Sequence, residues 1–362
     1  MKKVLLFGIY CLFLSCGLFK AQPTKIKDFS KVDVTKYLNT ITASELSKHL
    51  YIVAADSMQG RDTGSEGQKK AGKYLISEYE KMGISFPKGA TSFYQQVPSA
   101  FMKRSYSPTP NDSENIWAFI EGTETPEEIL VISAHYDHVG TKNGETFNGA
   151  DDDGSGTVAL LELAQAFHTA KKDGYGPKRS ILFLHVTGEE KGLHGSRYYS
   201  ENPLFPLKNT IANINIDMIG RRDTLHKNTN NYVYVIGSDR LSTDLHKINE
   251  AANAEYTQLE LDYKYNDIND PERIYYRSDH YNFAKKGIPA IFFFNGVHGD
   301  YHLPSDTPDK IEYDALAKRA QLAFATAWEL QTEKNDLLWI KTENNNSCRK
   351  PVRNDWLFYF NS

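Results

Sequence analysis

Cysteine is almost missing from this chain: of 362 residues only Cys11, Cys16 and Cys348 are cysteine. The first two sit in an N-terminal apolar stretch, so removal of that stretch leaves Cys348 alone in a polar tail. An intramolecular disulfide framework is then excluded, and a thiol nucleophile is disfavoured. A charge excess is lacking too, since 42 Lys and Arg face 46 Asp and Glu for a formal net charge of −4. No basic run interleaves with aromatics, which argues against nucleic acid as a partner. After the N-terminal stretch no second long apolar run follows, so no transmembrane segment is expected. Internal repeats are absent as well.

The N-terminus does carry a leader pattern. Lys2 and Lys3 precede the apolar run Val4 to Phe19, which is too short with these flanks to span a bilayer comfortably. Residues 1–21 are read as a signal peptide cleaved after Ala21. The alternative is lipidation of Cys16 in F-L-S-C-G, which resembles a loose bacterial lipobox. Phe13 suits that motif poorly and no Ser/Asp-rich tether follows, so cleavage is preferred. The expected location is exported, periplasmic or secreted, with a lipoprotein anchored at Cys16 as the other outcome.

Residues 22–50 read as an N-terminal helical extension. Thr42, with Glu45 three residues on, has the spacing of a capping box. Residues 51–330 form one large domain and 331–362 a C-terminal extension, polar at first and closing on W-L-F-Y-F, an aromatic end expected to dock on the surface. Within the domain, strands are expected at 93–97, 113–121, 130–133, 180–186, 210–216, 232–236, 256–261 and 290–294. Helices are expected at 68–82, 156–168, 195–200, 238–254, 279–286 and 313–329. Strands alternating with helices at this rhythm indicate an α/β sheet covered on both faces, a three-layer sandwich.

The chain is organised around residues 130–156. Leu130–Ser133 is a short aliphatic run of the kind buried on both faces of a parallel sheet. His135, Asp137 and His138 follow at its carboxyl end, where open α/β sheets bind ligands. A Gly-flanked Asp151-Asp152-Asp153 comes next. Such a run also serves as a solvated loop or helix cap, but three adjacent carboxylates beside a strand-end His are most simply held by a divalent metal. Further strands end on Glu189-Glu190, on Asp217, and on His298 and His302. Four strands therefore bring carboxylates or imidazoles to one sheet edge, a ligand count right for two zinc ions.

The segments S-A-H-Y-D-H-V-G, G-A-D-D-D-G-S-G, T-G-E-E-K-G-L-H-G-S, N-I-D-M-I-G-R, S-D-H-Y-N-F-A-K-K-G-I-P and Y-H-L-P-S-D-T resemble those of the M28 peptidase family, the co-catalytic zinc aminopeptidases. D-S-M-Q-G-R-D-T-G-S resembles the family's N-terminal block. The resemblance implies an M28-type peptidase domain over 51–330 with a mixed, mostly parallel sheet of about eight strands. It implies two Zn2+ per chain, one held by His135 and Asp217, the other by Glu190 and His302, with Asp152 bridging and a position left for water. Glu189 is then the general base and Asp137 the carboxylate that orients the His135 imidazole. His138, His185, His194, His280 and His298 carry no ligand role in the motifs, and Asp279 and Asp306 are read as pinning loops. The Asp152–Asp153 peptide is expected to be cis.

The implied activity is hydrolysis of N-terminal residues from peptides with a free α-amine, by a metal-activated water and without a covalent intermediate. Three rivals share the scaffold. Glutaminyl-peptide cyclotransferases of the animal type carry an insertion after the Glu pair, whereas Glu190 to Ser196 runs uninterrupted. Glutamate-carboxypeptidase-like members add a protease-associated domain, for which Ile84 to Asn115 is too short. A non-enzymatic receptor-like scaffold is at odds with an intact Glu189 and a complete ligand set.

Overall fold

The computed structural model describes residues 32–103 and 109–332. The expected leader with its Cys16 alternative, Cys348 and the aromatic C-terminal run lie outside the described residues. The strands are β1 (Tyr94–Val97), β2 (Ser113–Ile120), β3 (Thr125–His135), β4 (Thr141–Lys142), β5 (Glu145–Thr146), β6 (Arg179–Val186), β7 (Thr210–Ile216), β8 (Tyr232–Ile236), β9 (Glu260–Asp262) and β10 (Ala290–Phe294). The helices are α1 (Val34–Leu38), α2 (Ala43–Val53), α3 (Glu66–Met82), α4 (Ser99–Met102), α5 (Gly156–Lys172), α6 (His194–Glu201), α7 (Thr243–Ala252), α8 (His280–Ala284) and α9 (Tyr313–Thr332).

Eight strands form one mixed sheet in the order β1-β2-β6-β3-β7-β10-β8-β9, and β4-β5 is a separate hairpin. The central strands β6, β3, β7 and β10 are parallel to one another. β2 and β8 join them antiparallel on either side. Because side chains alternate along a strand, the aliphatic run of β3 serves two cores. Leu130, Ile132 and Ala134 pack into the larger core with residues of α2, α3, α5 and α9. Ile129 and Val131 face the smaller one with Leu182, Leu184, Tyr199 and Phe283. The sheet is thereby covered on both faces, the α/β sandwich expected.

The described part of the N-terminal extension joins the larger core. Tyr37, Leu46 and Leu50 belong to it, and α2 runs across residue 50 without a break. Thr42 caps α2, its hydroxyl accepting from the Glu45 N–H at 3.2 Å. Tyr37 stacks on Trp328 with ring centroids 5.8 Å apart, and Phe167 packs on both Trp328 and Phe324 at 5.8 and 4.7 Å. This aromatic cluster ties α1, α5 and α9 together.

Several elements differ from expectation: α4 and the β4–β5 hairpin were not foreseen, and the helix expected over 238–254 is confined to α7, capped by Ser242. β3 extends to His135, so the first strand-end imidazole is the last residue of the strand itself. The strand expected over 256–261 shrinks to β9, because Asn253 holds a wide turn: its Oδ1 accepts from Thr257 Oγ1 and the Leu259 N–H, both at 2.8 Å. Gln258 then reverses the chain at φ 50°.

Replacing Phe167 with Ala removes the ring on which Phe324 and Trp328 pack. We expect a loss of about 3–5 kcal/mol in stability, read by urea denaturation through tryptophan fluorescence.

Candidate metal centre

All four parallel strands end on the same edge of the sheet, and each delivers side chains there. β3 contributes His135 and, just beyond, Asp137 and His138. β6 is followed by Gly188 at φ 67° and then by Glu189 and Glu190. β7 leads into Asp217, after which Met218 at φ 58° turns the chain back. β10 leads through a loop to His298 and to His302, itself at φ 56°. Between β3 and α5, Ala150–Ser155 makes an irregular turn in which the Asp152–Asp153 peptide is cis. Gly149 enters this turn at φ +53°, and a Cβ there would lie 2.3 Å from the Asp152 carbonyl, so only glycine fits.

These residues form two donor clusters that meet at Asp152. Its Oδ1 lies 3.3 Å from His135 Nε2, which is 3.6 Å from Asp217 Oδ1. Its Oδ2 lies 2.9 Å from His302 Nε2, which is 3.1 Å from Glu190 Oε2. Tetrahedral donors around zinc at arms of about 2.0–2.2 Å stand roughly 3.3–3.6 Å apart, so these spacings suit a metal ion. His135 Nε2, His302 Nε2, Asp152 Oδ2 and Glu190 Oε1 are buried without a hydrogen-bond partner. Orphaned donors of this kind are costly unless a cation engages them, and the residues fit zinc on that ground. Glu189 and Asp137 belong to neither cluster.

His138 is the residue that motif matching left out. Its Nδ1 is 2.8 Å from Glu190 Oε1 and 3.6 Å from Asp152 Oδ2, and both ring nitrogens are buried without a hydrogen-bond partner. Its donor atom lies within 4.8 Å of those of Asp152, Glu190 and His302, a grouping able to hold a metal ion, whereas the expected role of His138 was non-ligand. The repeated histidine in H-Y-D-H was the available signal. Asp153 likewise stands with His135 and Asp217: its Oδ1 accepts from the Gly156 and Met218 N–H groups at 2.9 and 3.0 Å, leaving Oδ2 buried and unpartnered.

Asp137 departs from its expected contact. His135 Nδ1 lies 3.0 Å from the Asp137 main-chain carbonyl, while the Asp137 carboxylate is 3.8 Å away. The carbonyl therefore orients the imidazole. The carboxylate instead accepts from Thr63 Oγ1 at 2.7 Å and from the Glu189 N–H at 3.2 Å, which ties the D-T-G segment to the Glu pair. Asp306 accepts from the Asp151 and Asp152 N–H groups at 3.0 and 3.2 Å, and His298 Nε2 is 3.1 Å from Asp151 Oδ2. Asp279 accepts from Ser196 Oγ at 2.5 Å. His185 pairs with Tyr79 and His280 stacks on Phe292, so neither is in a donor cluster.

The field of the site favours positive charge. Burial works against the charged His302 imidazole, yet Asp152 and Glu190 outweigh it and lift its pKa to about 10. Burial alone would raise the Asp152 carboxyl, but the His135 and His302 imidazoles hold it well below its ordinary range. Glu189 is partly exposed, and desolvation together with Asp217, Asp279 and Glu190 raises its carboxyl well above the ordinary value. It is thus a carboxylate with an enhanced appetite for a proton.

Arg61 underlies the whole arrangement and went unread in the sequence. Fully buried, it donates to the carbonyls of Val53, Tyr136, Asn148 and Gly149 at 2.7–3.0 Å. It fixes both the chain after β3 and the entry to the aspartate turn.

The model of Peptidase family M28 matches residues 115–327. A probable leucine aminopeptidase of Trichophyton verrucosum is 33% identical over 224 residues, covering 60% of this chain and 57% of that protein. The chain therefore spans little more than half the length of the curated relatives it matches. The crystal structure of the Legionella pneumophila LapA aminopeptidase is similar with a TM-score of 0.63 at 22% identity, covering 92% of this chain and 81% of that one. Porphyromonas gingivalis glutaminyl cyclase is similar with a TM-score of 0.61 at 19% identity, covering 80% and 98%. At these identities the structural likenesses establish the fold.

Replacing Arg61 with Met removes its donor from the buried carbonyls of Val53, Tyr136 and Asn148, each loss costing about 1–3 kcal/mol, while the Gly149 carbonyl keeps the Gly154 N–H. We expect a stability loss of at least about 3 kcal/mol in chemical denaturation, together with weaker zinc binding in equilibrium dialysis. An Arg61→Met protein of unchanged midpoint and zinc content would show that the guanidinium does not hold the turn.

Proposed function

The chain belongs to peptidase family M28, and on that premise we propose that it is an exported di-zinc aminopeptidase releasing N-terminal residues from peptides. The observation that carries this reading is Asp152, which turns one carboxylate oxygen to each of two donor clusters while Glu189 stands outside both. His135 and Asp217 would hold one ion, and Glu190 and His302 the other, with His138 as a further donor beside Glu190. Bound zinc supplies a Lewis acid for the scissile carbonyl and lowers the pKa of water. Glu189 takes the proton from the attacking water and passes it to the leaving amine, a task its raised carboxyl suits. The free α-amine of the substrate is located by Glu189 and Asp217.

Side-chain preference would follow the wall beside these groups. Met218 and Phe294 pack in an aromatic cluster against which Tyr276, Tyr281, Val297 and Tyr301 are partly buried. Tyr301 stacks on His302 with ring centroids 3.9 Å apart, which brings that wall to the metal donors. An apolar first residue suits it. Among the described residues between α3 and β2 the elements are β1 and α4, and the segment Ile84 to Asn115 is too short for a protease-associated insertion of the carboxypeptidase type. No helix among the described residues is long and apolar enough to cross a membrane. Export rests on the leader pattern of residues 1–21.

Two measurements test the reading. Asp152→Asn should remove both zinc equivalents of the centre, whereas His302→Ala should mainly remove one. Loss of at most one equivalent from Asp152→Asn, by elemental analysis, refutes the shared carboxylate. Glu189→Gln should keep its zinc and lose about a hundredfold or more in kcat. With the unaltered protein, acetylating a peptide's N-terminus should abolish most turnover, and equal cleavage of free and acetylated peptides would end the aminopeptidase reading. Release of a pyroglutamyl peptide from an N-terminal Gln substrate, without hydrolysis, would assign the cyclase instead.

A further inference from the structure

Away from the sheet edge, Glu45 and His49 lie one helical turn apart on α2, a spacing that puts both on one face. Glu162 of α5 faces them, and one donor atom from each of the three lies within 4.8 Å of the others. Glu162 is wholly buried, and neither of its carboxylate oxygens has a hydrogen-bond partner. Its neighbour is His49 Nε2, 3.3 Å from Oε1. The other ring nitrogen, Nδ1, is 2.6 Å from the Tyr74 hydroxyl of α3. Glu45 is half-exposed and pairs with Lys48 at 3.2 Å. Beside Glu45 and His49 opens a cavity of 340 Å³, lined also by Lys48 and by residues of α3 and α5.

A buried carboxylate with no donor is among the costlier groups a core can hold, and an ordinary ion pair with a single imidazole leaves its second oxygen unsatisfied. A metal ion resolves this. The Tyr74 hydroxyl can accept from Nδ1–H or donate to Nδ1; in the first tautomer the His49 lone pair sits on Nε2, 3.3 Å from Glu162, the arrangement by which an outer partner orients a ligating histidine. One imidazole and two carboxylates suit zinc or a similar divalent transition ion, and the cavity gives room for a water in the remaining position.

We propose that Glu45, His49 and Glu162 form a structural site for a divalent transition cation of the zinc class, clamping α2 to α5. Glu45 and His49 precede the stretch matched by the family model, whereas Glu162 lies within it. Its consequence is mechanical. α5 begins directly after the aspartate turn, and Glu162 lies less than two turns along it. A clamp on α5 steadies the N-terminal end from which Asp152 and Asp153 are presented.

The test uses the full chain with the sheet-edge centre disabled by Asp152→Asn and His302→Ala, so that the two sites are counted apart. Zn2+ is the probe in equilibrium dialysis with elemental analysis, and Co2+ in visible absorption. We expect one zinc equivalent that Glu45→Gln weakens at least tenfold and Glu162→Gln abolishes, and a cobalt spectrum that disappears with it. Added Zn2+ should raise the Tm of the disabled-centre protein and not of its Glu162→Gln derivative. Glu45 is half-exposed, so its variant reports on the site even if the buried substitution impairs folding. Equal zinc uptake, cobalt spectra and Tm shifts with and without Glu45→Gln would overturn the proposal and leave His49 and Glu162 as a buried ion pair. The outcome is independent of whether the sheet-edge centre hydrolyses peptides.

Discussion

Three consecutive aspartates, all buried, have to be held at one turn, and the rest of the structure depends on how that is done. Each is used differently. Asp151 accepts from the Gly220 N–H at 2.6 Å on one oxygen, and its other oxygen lies 3.1 Å from His298 Nε2 without a hydrogen bond. Asp153 uses one oxygen to accept from the loop after β7 and from the start of α5. Asp152, between them, is left with both oxygens for imidazoles from two other strands. The flanking aspartates therefore lock the turn to its neighbours, and Asp306 takes up the N–H groups of Asp151 and Asp152. A bridging carboxylate is credible because its backbone cannot rotate away.

Much of this was legible in the residues. A continuous aliphatic run marked β3 as a strand buried on both faces of a parallel sheet, and the alternation of strands with helices placed β6, β7 and β10 in the same covered sheet. Polar residues clustered just beyond each run then had to gather at one edge, which parallelism guarantees. What could not be read was set by long-range contacts. The rotamer of Asp137, hence whether its carboxylate or its carbonyl meets His135, is decided by Thr63, which lies 74 positions away. The reach of His138 into the Glu190 cluster depends on the loop packing against the Arg61 carbonyl, which accepts the His138 N–H. The shortened β9 was misread because the Asn253 side chain mimics backbone partners, and an apolar run does not reveal such a turn.

Two buried arginines complete the frame, and their placement follows from the charge of the site. Arg61 holds the strand end and turn on one side of Asp152. Arg319 of α9 holds the other side, donating to the carbonyls of Ile219, Arg221, Asn230 and Tyr232 at 2.6–3.1 Å. Neither guanidinium is spent on a direct ion pair with a carboxylate of the site. Each donates to four main-chain carbonyls at once, and each contributes a fixed positive charge nearby. Burial lowers the pKa of both, and the aspartates oppose that shift, Asp152 and Asp153 at Arg61 and Asp151 at Arg319.

The choice of arginine over lysine at these two positions has a physical reason. A planar guanidinium serves up to five acceptors in fixed directions and keeps its charge when desolvated, whereas an ammonium offers three and loses its proton more readily. Loops carrying Asp152 and Asp217 need several carbonyls held at once, at set angles, inside a core. The same burial that makes those cations costly in isolation makes them effective against the carboxylates, because the local dielectric is low for both. Scaffold and site therefore balance each other: the acidic cluster makes the buried arginines tolerable, and the arginines fix the loops that bring the acidic cluster together.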